Sequence, residues 1–342
     1  MARQTRRHFL QLMAWIGLGS QAWRSGMAHA MHHGAAVAPT AATPATPAMT
    51  YRTLGGTGFK ASRLVFGCGS ALSRGQAVDL LEPAFAAGIN VFDVGFRGFY
   101  KDAEKNLAPF LKKRRQDIFL ISKAKVGGDL KPSDTLTVAQ AREAAQAWSA
   151  YLDTSLSELQ VDHVDAYYLM AVNNAALVGS EEVYNAFAAA KQAGKVSYFG
   201  ISTHENAERL LEVAIETGWY TLAQIAITPA GWYDRPSRRM LAGTPPMRDL
   251  QPTLARARAA GIGLIGMKAG RYLAGGRIRR SKPRAYDHLY NDKLMAAKLT
   301  AFQRSYAYVL AHGLDAVNAD MQNTEHFQEN VFAAATSDTY FA

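Results

Sequence analysis

The chain has few of the residues that would cross-link it or anchor it in a membrane. Cys68 is the only cysteine among 342 residues, so an internal disulfide is excluded. No apolar run reaches the length of about 20 residues that a membrane-spanning helix needs. The first 30 positions also contain no acidic residue. A disulfide-stapled scaffold is therefore excluded, and we expect no stable membrane insertion.

The first 30 residues have the pattern of an export signal. Arg6 and Arg7 precede a short apolar run over 12–18, and Ala28-His29-Ala30 supplies a small-residue cleavage site. A basic start, a short apolar core and such a site are typical of a signal peptide, and paired arginines indicate the twin-arginine type. The alternative is an ordinary signal with chance arginines. We expect a folded protein that the twin-arginine export machinery delivers to the periplasm or secretes, and the single cysteine fits that route.

Residues 31–50 predict a flexible linker. They are rich in Ala, Pro and Thr and almost without large apolar side chains, so they cannot bury enough surface to offset the entropy of ordering. The remaining residues, 51–342, suit one large domain. Four arginines of the first 30 residues account for part of the net charge of +10. The rest is a modest excess that does not call for a nucleic-acid partner.

From residue 62 onward, short apolar runs alternate with amphipathic helical stretches. Runs without polar alternation suit strands buried on both faces of a parallel sheet, and eight strand–helix units predict a (β/α)₈ TIM barrel. Gly55 to Gly58 predict a turn of an N-terminal β-hairpin that covers the barrel floor. An open doubly wound sheet is the alternative, but 67–70 lack the glycine-rich fingerprint it needs. The predicted strands are Leu64–Gly67, Asn90–Asp93, Ile118–Ser122, Val164–Met170, Ser197–Ser202, Leu222–Ile227, Gly263–Met267 and Ala316–Ala319.

The carboxyl ends of these strands are where a TIM barrel carries its chemistry. Asp93 ends the second strand and Lys123 follows the third, so opposite charges end neighbouring strands. An Asp beside a Lys can hold the ammonium and tune its pKa. Tyr100 follows Asp93 by seven residues and could fold over the barrel mouth as a proton donor or acceptor. A purely structural ion pair beneath a loop is the alternative interpretation.

A hydrolytic barrel is disfavoured, because the strand ends lack the residues that hydrolysis would need. A glycosidase needs two facing carboxylates, and only Asp93 is available at those ends. A metal hydrolase needs clustered His and acidic ligands, which the strand ends do not supply. We therefore expect no metal site.

Several short segments resemble those of bacterial aldo-keto reductases, in the same order and at similar spacing. The resemblance covers essentially all of 51–335 and rests on segments that are individually weak but occur in the family's order. These segments are Tyr51–Gly58, Ser62–Leu64, Gly88–Asp93, Tyr100 with Glu104, Ile118–Lys123, Ser155–Asp165, Gly194–Ser202 and Glu325–Asn330.

The resemblance implies a catalytic tetrad of Asp, Tyr, Lys and His around a nicotinamide. By position these are Asp93, Tyr100, Lys123 and Met170, so methionine stands where the family has histidine. In the family the tyrosine protonates the carbonyl oxygen, the lysine and aspartate tune it, and the histidine orients the substrate. The gap from Asp93 to Tyr100 is two residues longer than usual. A thioether donates no hydrogen bond, so we expect impaired carbonyl reduction unless another group, such as His204, substitutes.

The resemblance also implies the cofactor contacts. Ser202 and Gln224 would bind the carboxamide, Glu329 and Asn330 the adenine end, and Thr203 and Lys268 would add contacts at their strand ends. Ile227 stands near the family's stacking tyrosine and His326 where an arginine often holds the 2′-phosphate, so the cofactor is NADP or NAD. A basic run at Arg277, Arg279, Arg280, Lys282 and Arg284 could close over the pyrophosphate or be a solvated loop.

Together these features predict an exported NAD(P)H-dependent oxidoreductase. It would transfer hydride to a carbonyl or related small-molecule substrate, with Tyr100 as the proton donor. The alternative is a catalytically degenerate barrel that binds a dinucleotide or another ligand without turnover.

Overall fold

The computed structural model describes residues 47–274 and 281–341. The predicted signal peptide, most of the predicted linker and Arg277, Arg279 and Arg280 lie outside the described residues. At 47–50, the end of the predicted linker, the chain already packs on the folded unit. Met49 is buried and the Thr50 hydroxyl donates to the Ala334 carbonyl at 2.9 Å. Residues 47–50 thus belong to the folded unit.

Eight parallel strands form a closed barrel, as the sequence predicts. Each pairs with the next along the chain, and the last strand returns to the first, which closes the sheet. The predicted boundaries agree with the observed ones within two residues. The barrel strands are β3 (Leu64–Gly67), β4 (Val91–Asp93), β5 (Phe119–Ala124), β6 (Val164–Met170), β7 (Val196–Thr203), β8 (Leu222–Thr228), β11 (Gly263–Met267) and β12 (Ala316–Ala319).

Two further strands form the predicted N-terminal hairpin. β1 (Tyr51–Thr53) and β2 (Lys60–Ser62) pair antiparallel. Between them, the Gly56 N–H donates to the Gly261 carbonyl at 2.7 Å, in front of β11. A side chain at Gly55 would lie 2.2 Å from the Gly263 nitrogen, so only glycine allows this approach. The hairpin therefore covers the floor of the barrel.

A second hairpin, which the sequence analysis missed, extends from β8 at the opposite end. β9 (Gly231–Asp234) pairs antiparallel with β8, and β10 (Arg239–Met240) pairs with β9. We call 231–240 the mouth hairpin. Gly231 has φ +103°, and a Cβ there would lie 2.2 Å from the Pro245 carbonyl oxygen. This chain reversal thus requires glycine.

Helices surround the barrel. The amphipathic stretch over 294–312 suggests one helix in the sequence but forms parts of two, because the Thr300 side chain caps a new helix and forms a capping box with Gln303. Within the described residues no helix is both long and apolar enough to span a bilayer. The helices are α1 (Cys68–Leu72), α2 (Leu81–Ala86), α3 (Arg97–Tyr100), α4 (Ala103–Arg114), α5 (Val138–Leu159), α6 (Ala175–Val178), α7 (Glu181–Gln192), α8 (Ala207–Thr217), α9 (Gln251–Ala259), α10 (Asp292–Ala296), α11 (Ala301–Ala311) and α12 (Thr324–Thr336).

The apolar core has two layers, one on each side of the barrel wall. Inside the barrel, side chains such as Val65, Ile121 and Ile265 pack beneath Leu54 of the hairpin. Outside it, Trp148 of α5 is fully buried and makes edge contacts with aromatic rings of β6, α7 and β7. A filled interior of this kind leaves no pore, so ligands must bind at a barrel end.

Candidate active site

A cavity of about 790 Å³ opens at the carboxyl ends of the strands, where a TIM barrel carries its active site. Nearly every predicted site residue lines it, and the mouth hairpin and the start of α12 complete its walls. The predicted residues in the lining are Asp93, Tyr100, Lys123, Met170, Ser202, His204, Gln224, Lys268, His326, Glu329 and Asn330.

Asp93 and Lys123 form a buried ion pair at the base of the cavity. The Lys123 ammonium donates to Asp93 Oδ1 at 2.5 Å and to the Val94 carbonyl at 2.6 Å. The second oxygen, Oδ2, accepts from Gln224 Nε2 at 3.1 Å and from the Asn318 amide. Both partners are only 4% exposed. Because a buried charge needs a full set of partners, this network holds Lys123 in one position.

Tyr100, at the end of α3, lies across two glycines. A Cβ at Gly69 would be 2.6 Å from the Tyr100 ring, and one at Gly95 would be 3.0 Å from the ring and 3.1 Å from Lys123 Cγ. The phenol therefore packs beside the lysine stem, and the longer Asp93-to-Tyr100 segment still brings the ring to the site. These close approaches explain why glycine occupies both positions.

The family pattern has Lys123 and Asp93 tuning the tyrosine, and in this structure the pKa of Tyr100 is raised, not lowered. Burial raises the pKa of the Tyr100 phenol well above its usual value, and the negative charges of Asp93 and Asp320 raise it further, against a smaller opposite effect of Arg235. The charge of Lys123 is already balanced by Asp93 at 2.5 Å. Tyr100 is consequently protonated throughout the neutral pH range, as a proton donor must be.

Met170 and His204 lie in the same cavity wall. Met170 ends β6 and is 4% exposed, and its main chain pairs with that of Ser202 on β7. His204 follows β7, and its Nδ1 is buried with no hydrogen-bond partner among the described residues. Burial, together with the charges of Lys268, Arg235 and Lys123, lowers the pKa of His204 to about 3. His204 is therefore a neutral imidazole.

Some of the predicted cofactor residues reach the cavity, and two, Thr203 and Ile227, do not. Ser202 and Gln224 are buried in its base, and the Gln224 carbonyl oxygen has no partner among the described residues. Thr203 is outside the lining, because its hydroxyl donates to the Glu205 carbonyl at 2.5 Å and accepts from the Glu205 N–H. Ile227 likewise packs in the core.

Positive groups gather where β11 ends. Lys268 has φ +68° and is open to the solvent of the cavity. Loss of hydration of the ammonium beside the cavity wall lowers the pKa of Lys268 most. The charges of Arg271, Arg235 and Lys123 lower it further, and Asp320 raises it. Asn323 caps α12 beside them by accepting from the His326 N–H at 2.8 Å, and the N-terminus of such a helix favours anions. Lys282 of the predicted basic run instead donates to the Tyr272 hydroxyl.

Sequence reasoning missed several lining residues. Asn318 and Asp320 lie in and directly after the last barrel strand, so examining that strand end as closely as the others would have found them. Tyr233, Arg235 and Arg238 come from the mouth hairpin, whose short strands have no clear alternation in the sequence.

With this geometry established, comparison with known proteins identifies the family. A profile of the aldo/keto reductase family matches residues 54–337. The chain therefore belongs to the aldo/keto reductase family and is an oxidoreductase. The family works with a nicotinamide cofactor, in agreement with the residues brought together here.

Solved structures show the same fold at low sequence identity. AKR11C1 from Bacillus halodurans, in its holo form, has 21% identity and a TM-score of 0.59, with 83% of this chain and 90% of that chain covered. The thermostable aldo-keto reductase Tm1743, in complex with the inhibitor epalrestat, has 22% identity and a TM-score of 0.58 over 83% and 94%. PA4992 of Pseudomonas aeruginosa, a proposed aldo-keto reductase, has 22% identity and a TM-score of 0.56 over 85% and 97%. No curated protein matches the chain.

Proposed function

We propose that this protein is an exported NAD(P)H-dependent carbonyl reductase in which Tyr100 gives the proton to the substrate oxygen. The observation that carries the proposal is the meeting of Tyr100, the Asp93–Lys123 pair and Gln224 at the base of one cavity. The neighbouring Ser202 adds a hydroxyl group. These groups suit a small carbonyl compound beside a nicotinamide.

The residues fit a dinucleotide. The unpartnered carbonyl oxygen of Gln224 can accept from a carboxamide N–H, and a buried acceptor without a partner costs about 1–3 kcal/mol. Glu329 and Asn330, further along α12, can bind the adenine end, while Lys268 and the N-terminus of α12 suit the phosphates. When bound, the reduced nicotinamide would supply the hydride; NADP and NAD both remain compatible with this chain.

The chain's own residues then handle the proton. Tyr100 remains protonated at neutral pH because burial and nearby carboxylates raise its pKa. As negative charge develops on a carbonyl oxygen, the phenol can release its proton to that oxygen. By pairing with Asp93, the ammonium of Lys123 offsets the carboxylate charge that would oppose formation of the phenolate. Preorganised charge of this kind lowers the barrier without reorganisation of solvent.

Met170, by the family resemblance, occupies the position of the substrate-orienting histidine. Its thioether cannot donate a hydrogen bond. His204 is our candidate for a replacement donor, because its imidazole is neutral and its Nδ1 has no partner within 47–274 and 281–341. In either tautomer, one of its two nitrogens carries a proton.

The second candidate function is a barrel that binds a dinucleotide without turnover. Two observations favour it: Met170 ends β6 without a donor, and the buried Tyr100 phenol resists ionisation. Both proposals require dinucleotide binding, and only the first requires chemistry.

The test separates binding from turnover on the protein without its signal. Titration with NADPH and with NADH, followed by calorimetry and tyrosine fluorescence, measures binding. A set of aldehydes and ketones is then supplied to the saturated protein, and oxidation of the cofactor is measured. Binding with turnover supports the reductase, and binding alone supports the degenerate barrel. A folded protein that binds neither dinucleotide at millimolar concentration would overturn both.

Export is the remaining part of the proposal. The paired arginines before a short apolar run support delivery by the twin-arginine machinery to the periplasm or the medium. Replacing both by lysine, Arg6→Lys with Arg7→Lys, should leave precursor in the cytoplasm. Fractionation and immunoblotting measure this, with Arg3→Lys as the matched control. Normal export of the double variant would exclude the twin-arginine route.

A further inference from the structure

The first strand of the mouth hairpin is paired with the barrel, and the turn after it borders the cavity. That strand follows β8 after a chain reversal, with Ile227 opposite Trp232 in the antiparallel pairing. The Trp232 N–H donates to the Thr244 hydroxyl at 3.0 Å, and Tyr233 packs against Met267 at the end of β11. The strand that leads into the turn is therefore held against the barrel mouth.

Arg235 is the first residue of that turn and lines the cavity. Its guanidinium carbon lies 6.0 Å from the centre of the Phe99 ring, which is 4.8 Å from the centre of the Tyr100 ring. The guanidinium is therefore about 11 Å or less from the centre of the Tyr100 ring, and both residues line the same cavity.

The charge of Arg235 is not matched by an acidic side chain among the described residues. No carboxylate there lies within 4 Å of it, although several face the same cavity. Asp93 is held by Lys123, Gln224 and Asn318, and Asp320 accepts from Gln322 at 3.0 Å. Asp234 accepts from the Ser237 N–H at 2.9 Å within the turn. These carboxylates therefore have other partners.

The cations of the cavity fall into two groups by position. Lys268 and Arg271 follow β11 and face the N-terminus of α12, where the phosphates of a dinucleotide would lie. Arg235 and Arg238 are on the mouth hairpin, and Arg235 lies over Phe99, whose ring contacts that of Tyr100. A bound dinucleotide would therefore neutralise the first group and leave Arg235 facing the substrate.

We propose that the substrate is a carbonyl compound with an anionic group, and that the Arg235 guanidinium binds that group. The proposal rests on the reductase function proposed above. A guanidinium pairs with a carboxylate or phosphate through two parallel hydrogen bonds of about 2.8 Å. The guanidinium is at most about 11 Å from the centre of the Tyr100 ring, and the proton transfer at Tyr100 takes about 3 Å of that distance. Only a few bonds therefore fit between the carbonyl carbon and the anion. The substrate class is thus short oxo acids and their phosphate analogues.

The experiment compares one anionic aldehyde with its uncharged counterpart. 4-Oxobutanoate and methyl 4-oxobutanoate are supplied to wild type, Arg235→Gln and the matched control Arg239→Gln. Arg239 is exposed on the same hairpin and is not part of the cavity lining. We expect Arg235→Gln to lower kcat/KM for the anion by about 10- to 100-fold, mainly through KM, the size of a charge-assisted hydrogen bond. The ester and the control should change less than about threefold, within the scatter expected for surface substitutions.

Two results overturn the proposal: a wild type that does not prefer the anion, or a variant that loses both substrates equally. If wild type turns over neither aldehyde, the reductase function fails and binding tests Arg235 separately. Calorimetry with succinate, an unreactive dianion, is then performed on protein saturated with dinucleotide. Binding that Arg235→Gln abolishes and Arg239→Gln retains supports the anion site, whereas no binding to wild type overturns it.

Discussion

The two ends of the barrel treat buried polar groups differently. At the floor, Asp165 accepts from the Leu120 N–H at 2.7 Å and pairs with Arg115 at 2.9 Å. Asp315 accepts from the Leu264 N–H at 2.8 Å in the same way. At the mouth, the Gln224 carbonyl oxygen and His204 Nδ1 are buried without partners among the described residues.

The difference shows where free energy supports stability and where it supports binding. A carboxylate that accepts from main-chain N–H groups at strand starts fastens neighbouring strands together. Acceptors and donors left unpaired at the mouth cost stability, and a ligand with complementary groups can recover that cost. The mouth therefore offers a ligand two unpaired atoms, whereas the floor carboxylates Asp165 and Asp315 already have protein partners and Arg63 Nε is left unpaired there.

Tyr100→Phe should have the largest effect of the substitutions that test this contrast. Removing the phenol removes the proton donor, so kcat should fall by about 10²-fold or more, with little change in Tm. The matched control is Tyr198→Phe at the floor, whose hydroxyl donates to the Thr57 carbonyl at 3.0 Å. That control should retain kcat. An equal loss of kcat in the two variants would remove the functional distinction between the ends.

Met170→His should have the next largest effect, and in the opposite direction. A neutral imidazole at the end of β6 can donate to a substrate oxygen where the thioether cannot, so kcat/KM for simple aldehydes should rise about tenfold or more. Met170→Leu, which keeps an apolar side chain, serves as the control and should give no gain. An unchanged Met170→His enzyme would indicate that His204 already provides the donor or that no donor is needed.

The sequence predicted the barrel because its signals are local. Each strand is a short apolar run, and the eight runs recur in order, so boundaries such as Leu64–Gly67 and Val164–Met170 agree with the structure. The strand ends then directed attention to Asp93 and Lys123, since parallel strands bring their carboxyl ends to one face.

What the sequence did not predict depends on contacts and burial that spacing along the chain does not reveal. The mouth hairpin packs against Met267, which is distant in the chain from Tyr233. Thr203 ends a strand as a ligand-binding residue would, but its hydroxyl closes a local turn with Glu205 instead. The raised pKa of Tyr100 depends on the depth of its burial, which spacing along the chain does not reveal.

Asp165→Ala at the floor should lower stability without changing catalysis. The substitution leaves the Leu120 N–H and the Arg115 guanidinium without their shared acceptor, so the free energy of unfolding should fall by about 1–3 kcal/mol. Urea denaturation measures it. Asp153→Ala, which breaks an exposed pair with Lys195, should change stability by about 0.5 kcal/mol or less. A large loss of kcat in Asp165→Ala with intact cofactor binding would contradict the division between the two ends.

The last expected effect is on the pH dependence of stability, through His204. Burial and the charges of Lys268, Arg235 and Lys123 lower its pKa to about 3 in the folded protein, against about 6.5 in the unfolded chain. Between these values the unfolded chain binds a proton that the folded protein does not, so acid favours unfolding. The stability associated with His204 is complete above pH 6.5 and is lost as the pH falls toward 3. His204→Gln should therefore lose less Tm between pH 7 and pH 4 than wild type does. Part of the slope should remain, because burial also lowers the pKa values of His163 and His312. His288→Gln, at an exposed position, is the control, and a slope in His204→Gln equal to that of wild type would show that His204 is protonated as readily in the folded protein as in the unfolded chain.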